Sequence, residues 1–189
     1  MTVLLREFVR DPLATASITP SSAALTRAMV RPVPRAAPVV VELGPGTGVF
    51  TAALQERAPG RHVAVELHRG LAAALGERFP QVEVVTGSAQ DLPAMLAERG
   101  VRTVDAVVSG LPWAAYAGGD LPRTIASVLG PQGVFTQFTY TWTRWAPPSR
   151  RQLGQLRAAF DELVLTRTIW ANVPPALVYC ARRPVERSG

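Results

Sequence analysis

The run Val39-Val40-Val41-Glu42-Leu43-Gly44-Pro45-Gly46-Thr47-Gly48-Val49-Phe50 constrains this chain more than any other stretch. An apolar segment passes through a carboxylate and breaks into glycines at alternate positions. Beyond Gly48, the residues Val49, Phe50, Ala52, Ala53 and Leu54 take up helical spacing. This order predicts a strand, a tight turn and the start of a helix. Such a turn lets backbone approach a nucleotide-like ligand, because glycine tolerates φ > 0 and has no Cβ to strike it. The helix N-terminus adds free N–H groups.

Two kinds of ligand use this geometry. A dinucleotide site asks for G-x-G-x-x-G, with its third glycine inside the helix. Here the spacing is G-x-G-x-G, and Glu42 stands just before it. A carboxylate there repels a pyrophosphate and suits a cationic ligand. The E-x-G-x-G-x-G form is similar to motif I of the class I S-adenosylmethionine-dependent methyltransferases. That resemblance implies Glu42, Gly44, Gly46, Thr47 and Gly48 as cofactor residues.

Strand and helix patterns then alternate. Apolar strands are expected at 62–66, 82–85, 104–108, 133–138, 162–166 and 176–180, and helices at 70–78, 91–99 and 121–129. A further helix is expected from a Ser149 cap through Leu153, Leu156 and Phe160. This is an α/β pattern: a mostly parallel seven-stranded sheet with helices on both faces, Rossmann-like, preceded by a helical extension. Residues 1–34 are read as that extension and 35–189 as the domain. Ligands in such sheets lie beyond the carboxyl ends of the strands.

The chain has 189 residues and a net charge of +6, and every basic residue is arginine. A basic balance favours nucleic acid or an anionic membrane surface as partner. No apolar run approaches the ~20 residues of a membrane span. No signal-peptide pattern is read at the N-terminus, and the single cysteine, Cys180, fits a reducing cytoplasm. No His/Cys spacing suits a metal, and neither histidine, His62 or His68, reads as a general base near the expected site.

Residues 3–10 read as a short amphipathic helix, with Leu4, Leu5, Phe8 and Val9 on one arc and charged residues opposite. It either packs on the domain or lies in a lipid interface. Thr19-Pro20-Ser21-Ser22 signals the start of a second helix running to about Arg31, a capping hydroxyl followed by proline.

Glu66 ends the second strand, 22 residues after Gly44, where a carboxylate accepts from two ribose hydroxyls. Leu67 follows it. Ser88-Ala89 follows the third strand; methyltransferases hold adenine in this loop, usually with Asp where Ser88 stands. Asp91 reads equally well as a helix cap. Ser109-Gly110-Leu111-Pro112-Trp113 follows the fourth strand. It resembles the (Asn/Asp/Ser)-x-Pro-(Tyr/Phe) loop of amino-methylating enzymes, with one extra residue before Pro112.

Five segments occur in order: Thr19–Ser22, Val41–Thr51, Ser109–Pro112, Gln137-Phe138-Thr139-Tyr140 and Asn172-Val173-Pro174-Pro175-Ala176. Together they resemble the bacterial phospholipid N-methyltransferases of the soluble, phosphatidylethanolamine-methylating type, from about Phe8 to Arg183. The resemblance implies transfer of the S-adenosylmethionine methyl to a lipid amine, and an N-terminal helix that docks on lipid. Tyr140, Ser109 and Gly110 are then expected to orient the amine, and Phe8, Leu111, Trp113, Tyr116, Tyr140 and Trp142 to meet the substrate. Three of the four tryptophans stand in two loops on the expected active-site side, fitting either a membrane interface or an aromatic pocket. Three alternatives stay open: a small-molecule amine or hydroxyl as acceptor, ribosomal RNA adenine, and a non-catalytic nucleoside-binding module. RNA methylases of related motif order usually carry a further helical domain after the sheet.

Overall fold

A computed structural model describes residues 21–116 and 119–185, with the side chains of residues 113 and 114 outside that description. The N-terminal segment bearing Phe8 therefore lies outside the described residues. Seven strands form one sheet in the order β3-β2-β1-β4-β5-β7-β6. They are β1 (Val39–Leu43), β2 (Arg61–Glu66), β3 (Glu83–Thr86), β4 (Val104–Ser109), β5 (Leu129–Tyr140), β6 (Phe160–Leu165) and β7 (Ala176–Pro184). The pairings among β1 to β5 are parallel, and β7 runs antiparallel to both β5 and β6.

Six α-helices occur among the described residues: α1 (Ala23–Val30), α2 (Val49–Gln55), α3 (Arg69–Arg78), α4 (Leu92–Ala97), α5 (Leu121–Val128) and α6 (Pro147–Ala159). Side chains alternate across each strand, so each face draws its own set of helices. Val41, Leu43, Val63 and Val107 pack with Leu92, Ile125 and Leu156 of α4, α5 and α6. Val40, Ala106, Val108 and Val178 face the other way, onto Leu25 and Met29 of α1 and Phe50 and Leu54 of α2. Beside them Ala64 meets Leu75 of α3 and Phe79 just past its end. Residues of the N-terminal extension thus belong to the same core as the sheet.

Several boundaries differ from the pattern reading. The α1 cap is Ser22, whose hydroxyl accepts from the Leu25 N–H; Thr19 lies outside the described residues. Ser149 does not cap α6. That helix starts at Pro147 after Ala146, and Ser149 is buried within it. Proline is favoured in a first turn, where its missing N–H has no partner to lose. Phe160 opens β6 instead of extending α6, because its extended backbone joins the β7 ladder opposite Pro184. The segment after β3 begins as a 3₁₀ turn, Ala89–Asp91, capped by the Ser88 hydroxyl. Asp91 precedes α4 without a side-chain cap bond.

Candidate active site

The carboxyl ends of β1, β2, β4 and β5 converge on a cavity of about 190 Å³. Gly44, Pro45, Gly46 and Thr47 form one wall, and Glu66, Leu67 and His68 another. Gly110, Leu111 and Pro112 come from the β4 loop, and Phe138 and Tyr140 from the end of β5. A larger groove, about 1250 Å³, lies at the opposite end of the sheet, between the starts of β5 and β6 and the end of β7. It contains no part of the glycine turn.

The turn is drawn together by hydrogen bonds that continue the ladders. Gly44 N donates to the Val65 carbonyl at 2.9 Å, and Gly110 N to the Leu43 carbonyl at 2.8 Å. The close approach requires glycine at 110, because a Cβ there would stand 2.6 Å from the Gly44 carbonyl oxygen. Glu66 is buried, and both its oxygens take backbone donors: Gly46 N at 3.2 Å and His68 N at 3.0 Å. One carboxylate therefore clamps the glycine turn to the end of β2. Each oxygen keeps a second lone pair for a ligand hydroxyl.

Alternation along β5 divides the Gln137-Phe138-Thr139-Tyr140 segment by face. Gln137 accepts from Gln152 Nε2 of α6 at 2.7 Å, and the Thr139 hydroxyl meets that of Thr143 at 3.2 Å. Phe138 and Tyr140 turn to the cavity, edge to face with ring centroids 5.4 Å apart, and Phe50 stands 6.2 Å from Phe138. Burial raises the Tyr140 phenol above its usual pKa, so it stays a neutral hydrogen-bonding group near neutral pH.

The β4 loop is held from behind. The Tyr116 hydroxyl donates to Ser109 Oγ at 2.6 Å, and Ser109 Oγ also accepts from Leu111 N at 3.3 Å. Both residues are fully buried, and neither lines the cavity. Burial raises the Tyr116 phenol strongly, the Ser109 bond opposing.

Glu42 is also fully buried and absent from the lining. Its Oε2 accepts from Thr51 Oγ1 at 2.8 Å and stands 3.2 Å from His62 Nε2, whose other ring nitrogen meets Gln55 at 2.8 Å. The acidic residue of the turn thus fastens α2 to β1 and β2.

Sequence comparison supplies the identity. A relative from Singulisphaera acidiphila, an ornithine lipid N-methyltransferase, is 35% identical over 95% of this chain and 94% of its own. This chain belongs to the class I S-adenosylmethionine-dependent methyltransferases, in the family of that lipid enzyme. The ribosomal RNA adenine dimethylase family matches residues 8–93. Solved structures share the fold at low identity. An O-methyltransferase of Streptomyces achromogenes, in complex with S-adenosylmethionine, superposes with TM-score 0.64 at 16% identity over 96% of this chain and 100% of its own. A spermidine synthase with a transition-state analogue gives 0.69 at 10% identity over 88% of this chain, which spans 62% of that one.

The methyltransferase cavity brings together Gly44, Gly46, Thr47, Glu66, Leu67, Gly110, Leu111 and Tyr140 from the sequence-predicted set. Gly48 stands behind it as the left-handed cap of α2, against Leu75 and Phe79. Ser88 and Ala89 lie in the next loop along the sheet, outside the lining, as does Trp142. The Trp113 side chain and Phe8 fall outside the described residues.

Sequence reading missed Ser21, Phe50, Phe138, Ala115 and His68 at the cavity. His68 lines the cavity, although neither histidine was read as a general base near the site. It follows the Glu66 carboxylate by two residues, a signal available in the sequence. Ser21 had no local signal, because its place depends on Asn172, whose Oδ1 accepts from Ser22 N at 2.9 Å.

The residues fit the cofactor of the family. The place a Gly46 Cβ would occupy is open, with no atom within 4 Å, and the Glu66 carboxylate stands beside that opening. Among the described residues no group of three or more His, Cys, Asp or Glu could hold a metal ion. No helix among them is long and apolar enough to cross a membrane.

Proposed function

We propose that this methyltransferase N-methylates the amine of a lipid head group. The observation that carries the reading is the shared cavity. Tyr140 and Gly110, expected from the resemblance to meet the amine, line the same small space as Gly46 and Glu66. Similarity to a lipid N-methyltransferase over nearly the full length supports the acceptor class. The ribosomal RNA dimethylase match stops at residue 93, before the β4 loop and the β5 end that supply the acceptor side.

Bound S-adenosylmethionine supplies a methyl group on a sulfonium, which makes its sulfur a good leaving group. Glu66 would hold the ribose hydroxyls with its free lone pairs. The open backbone at Gly46 would give the ligand close access, and by the family resemblance the Ser88-Ala89 loop would meet the adenine. Tyr140, kept neutral by burial, orients the acceptor nitrogen together with the Gly110 carbonyl. The nitrogen attacks only as a free amine, and the apolar lining of Phe50, Leu71, Leu111 and Phe138 favours that form by desolvation. Ser109 and Tyr116 keep the β4 loop against the glycine turn. Methyl transfer gains mainly from this positioning.

Labelled S-adenosylmethionine, offered with phosphatidylethanolamine or ornithine-lipid vesicles, ribosomal RNA and small amines, tests the reading. Label is expected in the lipid. Label in RNA or in a soluble amine alone overturns the lipid reading. Absence of S-adenosylmethionine binding by calorimetry overturns the cofactor site.

A further inference from the structure

Large apolar side chains left in water cluster at one end of this molecule. Trp145 is 79% exposed, Trp170 76% and Val173 75%, with Trp142 at 38%. Trp142 and Trp145 follow β5, whose last residue, Tyr140, lines the cavity. Trp170 and Val173 precede β7, which runs antiparallel to β5, so this loop reaches the same edge. The two loops are joined there: Thr141 N and Thr141 Oγ1 both donate to the Pro175 carbonyl, at 2.9 and 3.2 Å. Leu67, 62% exposed, stands at the cavity on the β2 side of that edge.

The charge on the two loops and at the start of α6 has one sign. Arg144 is exposed and lies over the Trp145 ring at 5.9 Å. Arg150 and Arg151 are exposed in α6, and Arg167 in the loop after β6. No Asp or Glu occurs between Gln137 and Phe160, nor between Leu163 and Val185. Tryptophan beside arginine, with no carboxylate, is the composition of a membrane–water interface, where the rings sit at headgroup depth and the cations meet lipid phosphate. Trp145, Trp170 and Val173 stand on loops and line neither cavity described above, which suits a yielding bilayer surface better than a helix of fixed shape.

We infer that the two loops 141–146 and 166–175 dock the enzyme on an anionic phospholipid surface, with the cavity mouth facing the headgroups. This inference rests on the lipid-acceptor reading. It presents the Tyr140 end of the cavity to membrane lipid, so that a head group enters without the lipid leaving the bilayer.

The test uses the full chain and vesicles of phosphatidylglycerol with phosphatidylcholine, which carry no primary amine. Trp145→Ala with Trp170→Ala removes two exposed rings that line neither the active-site cavity nor the larger groove. Wild-type protein is expected to sediment with these vesicles and to detach at high salt, as charge screening requires. The double variant should lose vesicle affinity by roughly tenfold or more. It should keep S-adenosylmethionine affinity and turnover of amine lipid dispersed in detergent. Unchanged vesicle affinity in the double variant overturns the inference. So does a change from dimer to monomer in light scattering with vesicle binding unmoved, which assigns the face to self-association. If the tryptophans carry vesicle binding but no amine lipid is methylated, docking stands and the lipid-acceptor reading falls.

Discussion

Asn172 and Ser22 lie 150 positions apart and are joined by one hydrogen bond, from Ser22 N to Asn172 Oδ1 at 2.9 Å. The same buried amide donates to the Pro174 carbonyl at 2.7 Å. It ties the start of α1, and with it Ser21 at the cavity, to the loop that also receives Thr141. Asn172→Ala leaves the Pro174 carbonyl and the Ser22 N–H without this partner. A loss of about 1–3 kcal/mol in unfolding free energy is expected, read from urea melts, with a higher KM for the acceptor.

Glu66 clamps the turn, and in the proposed reading it also meets the cofactor. Glu66→Gln keeps one acceptor oxygen, and Glu66→Ala keeps none. Loss of hydrogen bonds to a charged group predicts weaker S-adenosylmethionine binding by roughly 100-fold for Glu66→Ala, with Glu66→Gln between. Calorimetry on both variants checks the order.

Gly110→Ala tests the close approach of the β4 loop to the glycine turn. The obstacle at 2.6 Å is a backbone carbonyl, which no rotamer change removes. A destabilisation of about 1–3 kcal/mol is expected. Cofactor affinity should fall with it, because the loop and turn share the cavity wall.

Tyr140→Phe removes a hydroxyl and keeps the ring against Phe138. A fall in kcat of tenfold or more, roughly 1.4 kcal/mol, is expected, with cofactor affinity unchanged. Burial raises the Tyr140 pKa, so its ionisation should produce no fall in wild-type activity up to about pH 10. A cofactor affinity that fell in parallel with kcat would make Tyr140 a cofactor residue instead.

Tyr116 predicts the alkaline limit of stability. Unfolded tyrosine ionises near pH 10, while the folded phenol stays protonated above that. The folded state then binds more protons, so stability falls as pH rises beyond about 10, by roughly 1 kcal/mol per pH unit from this residue. Tyr140 and Tyr179 shift in the same direction. Tyr116→Phe should flatten that decline in denaturant melts taken above pH 9.

The cofactor half was legible because its signals are local. Gly44, Gly46 and Gly48 stand within five residues, and Glu66 ends the strand paired with theirs. Strand and helix periodicity placed the parallel core in the same way. Glu42 shows where that reading stopped. Its place in the motif suggested a ligand contact, but the face it takes on β1 directs it to Thr51 and His62. Ser109 turned inward for a related reason, since Tyr116, seven residues on, folds back to meet it.

The sequence by itself determined the fold class, the glycine turn and the carboxylate that ends β2 beside it, because turn geometry and strand-end position are properties of a few adjacent residues. Only the tertiary structure decided which side chains face the cavity, that Asn172 holds the α1 start, and that Trp142, Trp145 and Trp170 share one edge. Those relations depend on sheet order and on the antiparallel return of β7, which join residues far apart in the chain. Periodicity within a segment does not specify its partner across the sheet.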